Sequence, residues 1–124
     1  MQYAILCYND EAAVGAWTKE QDDAVMARLA VVQDNLDKQG RLGPVVRLLP
    51  TSAATTLRKG RDEPLVIDGP FAETKEQFLG FYVVDCEDLE AALAVARDLA
   101  KANPDGGSYE IRPLRYFRAG GSEA

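Results

Sequence analysis

The side chains best equipped for chemistry gather between two apolar segments, in the stretch IDGPFAETKEQFLGFYVVD from Ile67 to Asp85. Asp68, Glu73, Lys75 and Glu76 bring carboxylates around one ammonium, with the Thr74 hydroxyl among them. A lysine held between carboxylates stays protonated, and so could orient an anion or polarise a carbonyl. Asp68 could then act as hydrogen-bond acceptor or base. Asp68 and Lys75 are therefore the candidate catalytic pair, and Glu73 and Thr74 are candidate ligand contacts. The same residues also admit a purely structural account. Asp before Gly can bond the backbone two residues on, Gly69 supplies an unusual φ and Pro70 fixes the next one. On that account Phe71 plugs the core beneath the turn, and residues 73 to 76 form a solvated helical turn.

Two further residues lie where a ligand could meet them. Tyr8 ends the first apolar run and could donate a hydrogen bond into a cleft, or simply pack under a helix. Arg58 could pair with Asp68 across a hairpin, or stay solvated. Trp17 precedes the first long helical segment and suits a pocket wall or, preferably, a dimer seam.

What is missing narrows the chemistry as much as what is present. The 124 residues include no histidine. The commonest general base near neutral pH and the commonest metal ligand are thereby removed, and Ser-His-Asp and Cys-His catalysis are excluded. Cys7 and Cys86 are far apart, which reads as two buried free thiols. No metal and no other cofactor is expected. The formal net charge of −6 argues against nucleic acid, whose phosphates need a basic patch. Arg58, Lys59 and Arg61 do cluster, but Asp62 and Glu63 follow at once. No apolar run approaches the ~20 residues of a membrane span, and no leader pattern opens the chain. A cytoplasmic protein is the expectation.

The elements that must position these groups follow from periodicity. Tyr3–Tyr8 is apolar on both parities, as a central strand covered on both faces would be. Asn9 to Trp17 reads as a loop. Thr18 and Gln21 form a capping box, and Val25, Leu29, Val32 and Leu36 follow at helical spacing until Gly40. Residues 41 to 49 read as a strand broken by Gly43-Pro44, at a bulge or an edge. Thr55–Arg58 and Leu65–Ile67 form a hairpin around Lys59-Gly60-Arg61-Asp62. Phe78–Val84 is a second doubly apolar strand, and Gly80 within it implies the close approach of another backbone or a ligand. Asp85 or Asp88 begins a second helix, with Leu89, Leu93, Ala96 and Ala100 on its apolar face, Ala92 and Leu99 beside them, and Asn103-Pro104 as its end. Tyr109–Phe117 is a last strand, placed at an edge by Pro113.

A chain of this length should form one domain, here residues 1 to 118, burying roughly 65% of its unfolded surface. Residues 119 to 124 read as a flexible tail. The element order is that of a ferredoxin-like α+β fold, a split βαβ arrangement with an antiparallel sheet, two helices on one face and an inserted hairpin. Two helices on one side leave the other sheet face uncovered, and a second copy of the chain is the simplest cover.

At Asp68-Gly69-Pro70-Phe71 the chain resembles the YCII-related proteins, in the branch named for its DGPF tetrapeptide. The likeness runs from Met1-Gln2-Tyr3-Ala4-Ile5-Leu6 through Thr55-Thr56-Leu57-Arg58 and Asp68–Glu76 to Tyr109-Glu110-Ile111-Arg112-Pro113. It implies a dimeric α/β barrel formed by sheet-to-sheet packing, in a superfamily of small isomerases, monooxygenases and dismutase-like enzymes that use the cleft between sheet and helices. It also implies the His-Asp site proposed for the family, of which this chain can supply only Asp68. DGPF proteins are often encoded beside extracytoplasmic-function sigma factors, which implies a functional link to such a factor. Two functions follow as expectations. One is a metal-independent enzyme acting on a small molecule near the DGPF loop; the other is a non-catalytic ligand-binding or regulatory module.

Overall fold

The computed structural model describes residues 1–60 and 62–121, so Arg61 and the end of the tail, residues 122–124, lie outside the described residues. Within them the chain forms strand β1 (Gln2–Asn9), a five-residue helix α1 (Glu11–Gly15) and a long helix α2 (Lys19–Lys38). Then come β2 (Leu42–Arg47), a 3-10 turn (Thr51–Ala53), β3 (Thr55–Arg58), β4 (Leu65–Asp68), β5 (Gln77–Asp85), α3 (Leu89–Ala102) and β6 (Ser108–Pro113). The main sheet has the order β2-β5-β1-β6, with every pairing antiparallel. This is the ferredoxin-like α+β arrangement that the element order predicts. β3 and β4 pair with each other as a separate hairpin.

The start of each long helix is fixed chemically. Thr18 Oγ1 accepts from the Gln21 N–H at 3.1 Å, and Gln21 Oε1 accepts from the Thr18 N–H at 2.9 Å. This reciprocal pair satisfies two of the four N–H groups that a helix start leaves open. Asp88, rather than Asp85, caps α3, accepting from the Ala91 N–H at 2.9 Å. The buried face of α3 is Ala92, Val95, Ala96, Leu99 and Ala102, while Leu89 is exposed. Ala92 and Leu99, expected beside the Leu89-Leu93-Ala96-Ala100 stripe, are its fully buried members, and Ala100 is exposed. Ala102 O accepts from Arg28 Nε at 2.7 Å, which ties the end of α3 to α2.

Val25, Leu29 and Leu36 of α2 meet α3 and the sheet residues Tyr3, Ile5, Tyr82 and Val84 in one core, on one side of the sheet. Ile5, Val84 and Leu99 are fully buried there. Burial of each such side chain contributes roughly 1.5–3 kcal/mol. The opposite face carries Leu6, Phe81 and Val46, which stand beside one another in the strand register.

Two irregularities break the strict alternation of this sheet. Cys7 stands opposite Gly80 but Tyr8 stands opposite Phe78, so Leu79 is an extra residue in β5. In β2, Leu42 pairs with Val84 and Val45 with Tyr82, so the Gly43-Pro44 segment also contains one extra residue. A bulge shifts every later side chain to the other face. Arg47 is thereby turned towards α2, where its Nη2 and Nη1 donate to the two Asp22 carboxylate oxygens at 2.7 and 3.2 Å.

Gly80 explains how β2 comes so near. A Cβ there would lie 2.1 Å from the Val46 carbonyl oxygen, and φ is +154°. Of the two partners that its position in a strand suggests, a backbone or a ligand, the close one is the backbone of β2. The segment from Asn9 to Trp17, expected to be loop throughout, contains α1, which Asp10 caps by accepting from the Ala12 N–H at 3.0 Å. The last strand stops at Pro113, four residues before its expected end, because its partner β1 begins at Gln2, whose carbonyl accepts from the Leu114 N–H at 2.9 Å.

Gly80→Ala should therefore lower the unfolding free energy by more than about 2 kcal/mol, since a backbone oxygen cannot swing aside. Gly15→Ala, with nothing within 4 Å of the added carbon, should leave it unchanged or slightly higher. Equal midpoints for the two variants in urea denaturation would contradict this account of β2.

Candidate functional site

A cavity of about 400 Å³ opens between the helix-bearing face of the sheet and α2. Its walls come from the β1 end (Cys7 to Asn9), the α1 region (Val14, Trp17), α2, the bulged stretches of β2 and β5, and the turn leading into β6. The volume lies in the range of small-molecule sites, which are mostly apolar with a few polar groups. Val25, Leu29, Val45, Leu79 and Trp17 give this one that character. Both bulges contribute, Leu79 as the extra residue itself and Arg47 through the shifted parity of β2.

The polar groups of the cavity hold their protons tightly. Burial pushes the Cys7 thiol up to about 12. Burial likewise raises the Tyr109 phenol, with Cys7 and Tyr82 beside it adding to the effect. The Tyr82 phenol is raised by burial too, although a hydrogen bond with Gln33 acts in the opposite sense. The charged wall residue among those described is Arg47, and Asp22 already engages it bidentately. That pairing holds the Asp22 carboxyl below its ordinary value, chiefly through the Arg47 hydrogen bond. Asn103, also in the wall, has a buried Oδ1 without a hydrogen-bond donor.

The residues singled out by sequence fall in three places. Tyr8 is at the cavity's edge, but by the strand register its side chain lies on the open face with Leu6, its hydroxyl donating to Glu110 Oε1 at 3.3 Å and its ring tilted against Phe78 at 5.5 Å. Partial burial and then the Glu110 carboxylate raise that phenol. Trp17, one of whose two expected settings was a pocket wall, lines the cavity. Arg58 is on the hairpin, donating to the Phe71 carbonyl at 3.2 Å, and no ion pair among the described residues joins it to Asp68. The register explains this: Arg58 stands opposite Leu65 at one end of the hairpin and Asp68 opposite Thr55 at the other.

Asp68, Glu73, Thr74 and Lys75 are exposed and outside the cavity wall. The turn itself is held by backbone: the Gly69 N–H donates to Ala54 O at 2.7 Å, and Gly69 O accepts from Thr56 Oγ1 at 2.8 Å. Phe71, expected to plug a core, is 74% exposed because the hairpin stands apart from the main sheet. Residues 72–76 form no helical turn.

The far end of this loop does reach the cavity mouth, through residues that sequence reasoning left aside. Gln77 Nε2 donates to Thr74 O at 2.6 Å, and Gln77 Oε1 accepts from the first N–H of α1, that of Glu11, at 2.9 Å. Ser108, a wall residue, donates to Glu76 Oε1 at 3.1 Å. Glu11 in turn accepts from the Thr51 N–H at 3.0 Å and from the Thr51 hydroxyl. The signal missed was Gln77, a polar residue opening an otherwise apolar strand. Among the described residues, no three His, Cys, Asp or Glu side chains gather as a metal site would need. No helix there is long and apolar enough to cross a membrane.

The titration of Cys7 gives a test. A thiol raised from 9.0 to about 12 favours the folded state fully below pH 9, and that contribution is lost as pH rises towards 12. Stability should fall from about pH 9 upward, and in Cys7→Ala the fall should begin only where the tyrosines titrate, near their ordinary 10.0. Native Cys7 should also alkylate at least about tenfold more slowly than the unfolded chain at pH 8, since the thiolate is the nucleophile. Rapid alkylation of Cys7 in the folded protein, read by peptide mass spectrometry, would show an activated thiol instead.

The YCII-related domain matches residues 1–118. An uncharacterized protein of Rhizobium meliloti (strain 1021) is 58% identical over 120 residues, spanning 97% of each chain. With its domain match running from the first strand past the last, the chain belongs to the YCII-related family.

Proposed function

We propose that this protein binds a small molecule in the cavity between sheet and α2, and that it does so as a homodimer without itself supplying a catalytic base. The carrying observation is the cavity's chemistry: apolar walls, a thiol and phenols that keep their protons, and an arginine already neutralised by Asp22. Such a lining favours holding a molecule over moving its protons, because general acid–base work needs a group poised near the ambient pH. Asp68, Glu73 and Lys75 enter this reading as residues of the loop that Gln77 ties to the cavity mouth. A thermal-shift screen of uncharged fragments should find ligands, each adding ~2.7 kcal/mol of stability at about 100 times its dissociation constant. Val45→Trp, at a half-exposed wall position, should fill the cavity and abolish those shifts. Hits that persist unchanged in Val45→Trp would mean that they bind elsewhere.

The dimer reading rests on the sheet face that no helix covers. Leu6, Phe81 and Val46 lie there, and Phe78, 38% exposed, stacks parallel to Phe81 at 6.5 Å. Pairing two copies of one face by a twofold axis would hide it twice over. Light scattering at micromolar concentration should give about twice the 13.5 kDa chain mass, and Phe81→Glu should halve it. The interface should exceed ~1,000 Å² in total. A monomeric wild-type mass would end this reading.

A further inference from the structure

The cavity also restricts what kind of molecule it takes. We infer that its ligand is an uncharged, largely apolar molecule with one hydroxyl-type group, which the Tyr109 hydroxyl anchors by hydrogen bonding. This rests on the proposed binding function of the same cavity.

The exclusion of charge comes from geometry. Among the described wall residues the one formal charge is Arg47, and its charge is already paired, each Nη donating one N–H to Asp22 at 2.7 and 3.2 Å. A ligand carboxylate would have to compete with that carboxylate, within a protein of net charge −6. A ligand ammonium would find no carboxylate in the wall. Either ion would lose its water without gaining a partner, a cost that outweighs the apolar contacts.

The anchor comes from hydrogen-bond accounting. Tyr8 donates to Glu110, and Gln33 stands near enough to the Tyr82 phenol to act on it. Tyr109, placed beside Cys7 by the strand register, lines the cavity with a hydroxyl that no described group bonds. On the same wall the buried Asn103 Oδ1 is without a donor. That Oδ1 is too enclosed for an occupant to reach, which leaves the Tyr109 hydroxyl as the group to bond one, and a hydroxyl is the smallest neutral partner that can both accept from it and donate to it.

A matched series separates these claims: toluene, benzyl alcohol, benzoate and benzylamine share one ring and differ in the substituent. Ligand-observed NMR titrations on the full chain should rank benzyl alcohol first, by roughly 2- to 10-fold over toluene, the range of one neutral hydrogen bond. Benzoate and benzylamine should bind at least about tenfold more weakly than benzyl alcohol. In Tyr109→Phe, which keeps the ring, benzyl alcohol should fall to the level of toluene while toluene stays unchanged. If benzoate or benzylamine matches benzyl alcohol and is displaced by Val45→Trp, the cavity stands and the uncharged class is overturned. If Tyr109→Phe leaves the ratio of benzyl alcohol to toluene intact, the anchor is overturned. If none of the four binds, the binding function falls and this inference with it.

Discussion

The bare α-carbon of Gly80 is the point on which the arrangement turns. It lets the Val46 carbonyl come within 2.1 Å of where a side chain would begin, so β2 can lie against β5 at full hydrogen-bonding distance. Beside it Leu79 is extruded as a bulge, and in β2 Gly43-Pro44 forms another. Without those two extra residues the side chains beyond them would change faces. Leu79 and Arg47 would leave the cavity, and Phe78 would leave the aromatic group on the open face.

Cavity and core are thus two uses of one sheet surface. Near the start of β1, Ile5, Val84 and Leu99 are fully buried between the sheet and the helices. Towards the other end of β1 the layers separate, and Cys7, Tyr82 and Tyr109 border a void. The low polarity that makes the core stable continues into that void and keeps the thiol and phenols protonated. A molecule that belongs there must tolerate the same environment, which is the common root of the proposed binding function and of the inferred ligand class.

The conspicuous DGPF loop has a different physical part. Its turn is held by the Gly69 backbone and Thr56, with the Asp68 side chain left exposed. Its downstream end is fastened by Gln77 to α1 and by Glu76 to Ser108, both at the cavity mouth. The loop therefore joins the hairpin to the cavity mouth through Glu76 and Gln77.

By itself the sequence determined the order of elements, the Thr18–Gln21 capping box, the central place of the Tyr3–Tyr8 strand and the special status of Gly80. These are local matters, decided by neighbours three or four residues apart or by a single missing Cβ. The family motif was equally legible, being contiguous. Only the tertiary structure decided which groups meet. Arg47 faces Asp22 because one extra residue reversed the parity of β2, and a one-residue shift leaves almost no trace in a pattern of alternating apolar residues. Cys7, Tyr82, Asn103 and Tyr109 surround one space although up to about a hundred positions separate them in the chain. Read alone, each is an ordinary core residue or, for Asn103, a helix end, because a cavity is a property of layers held apart and not of any one segment.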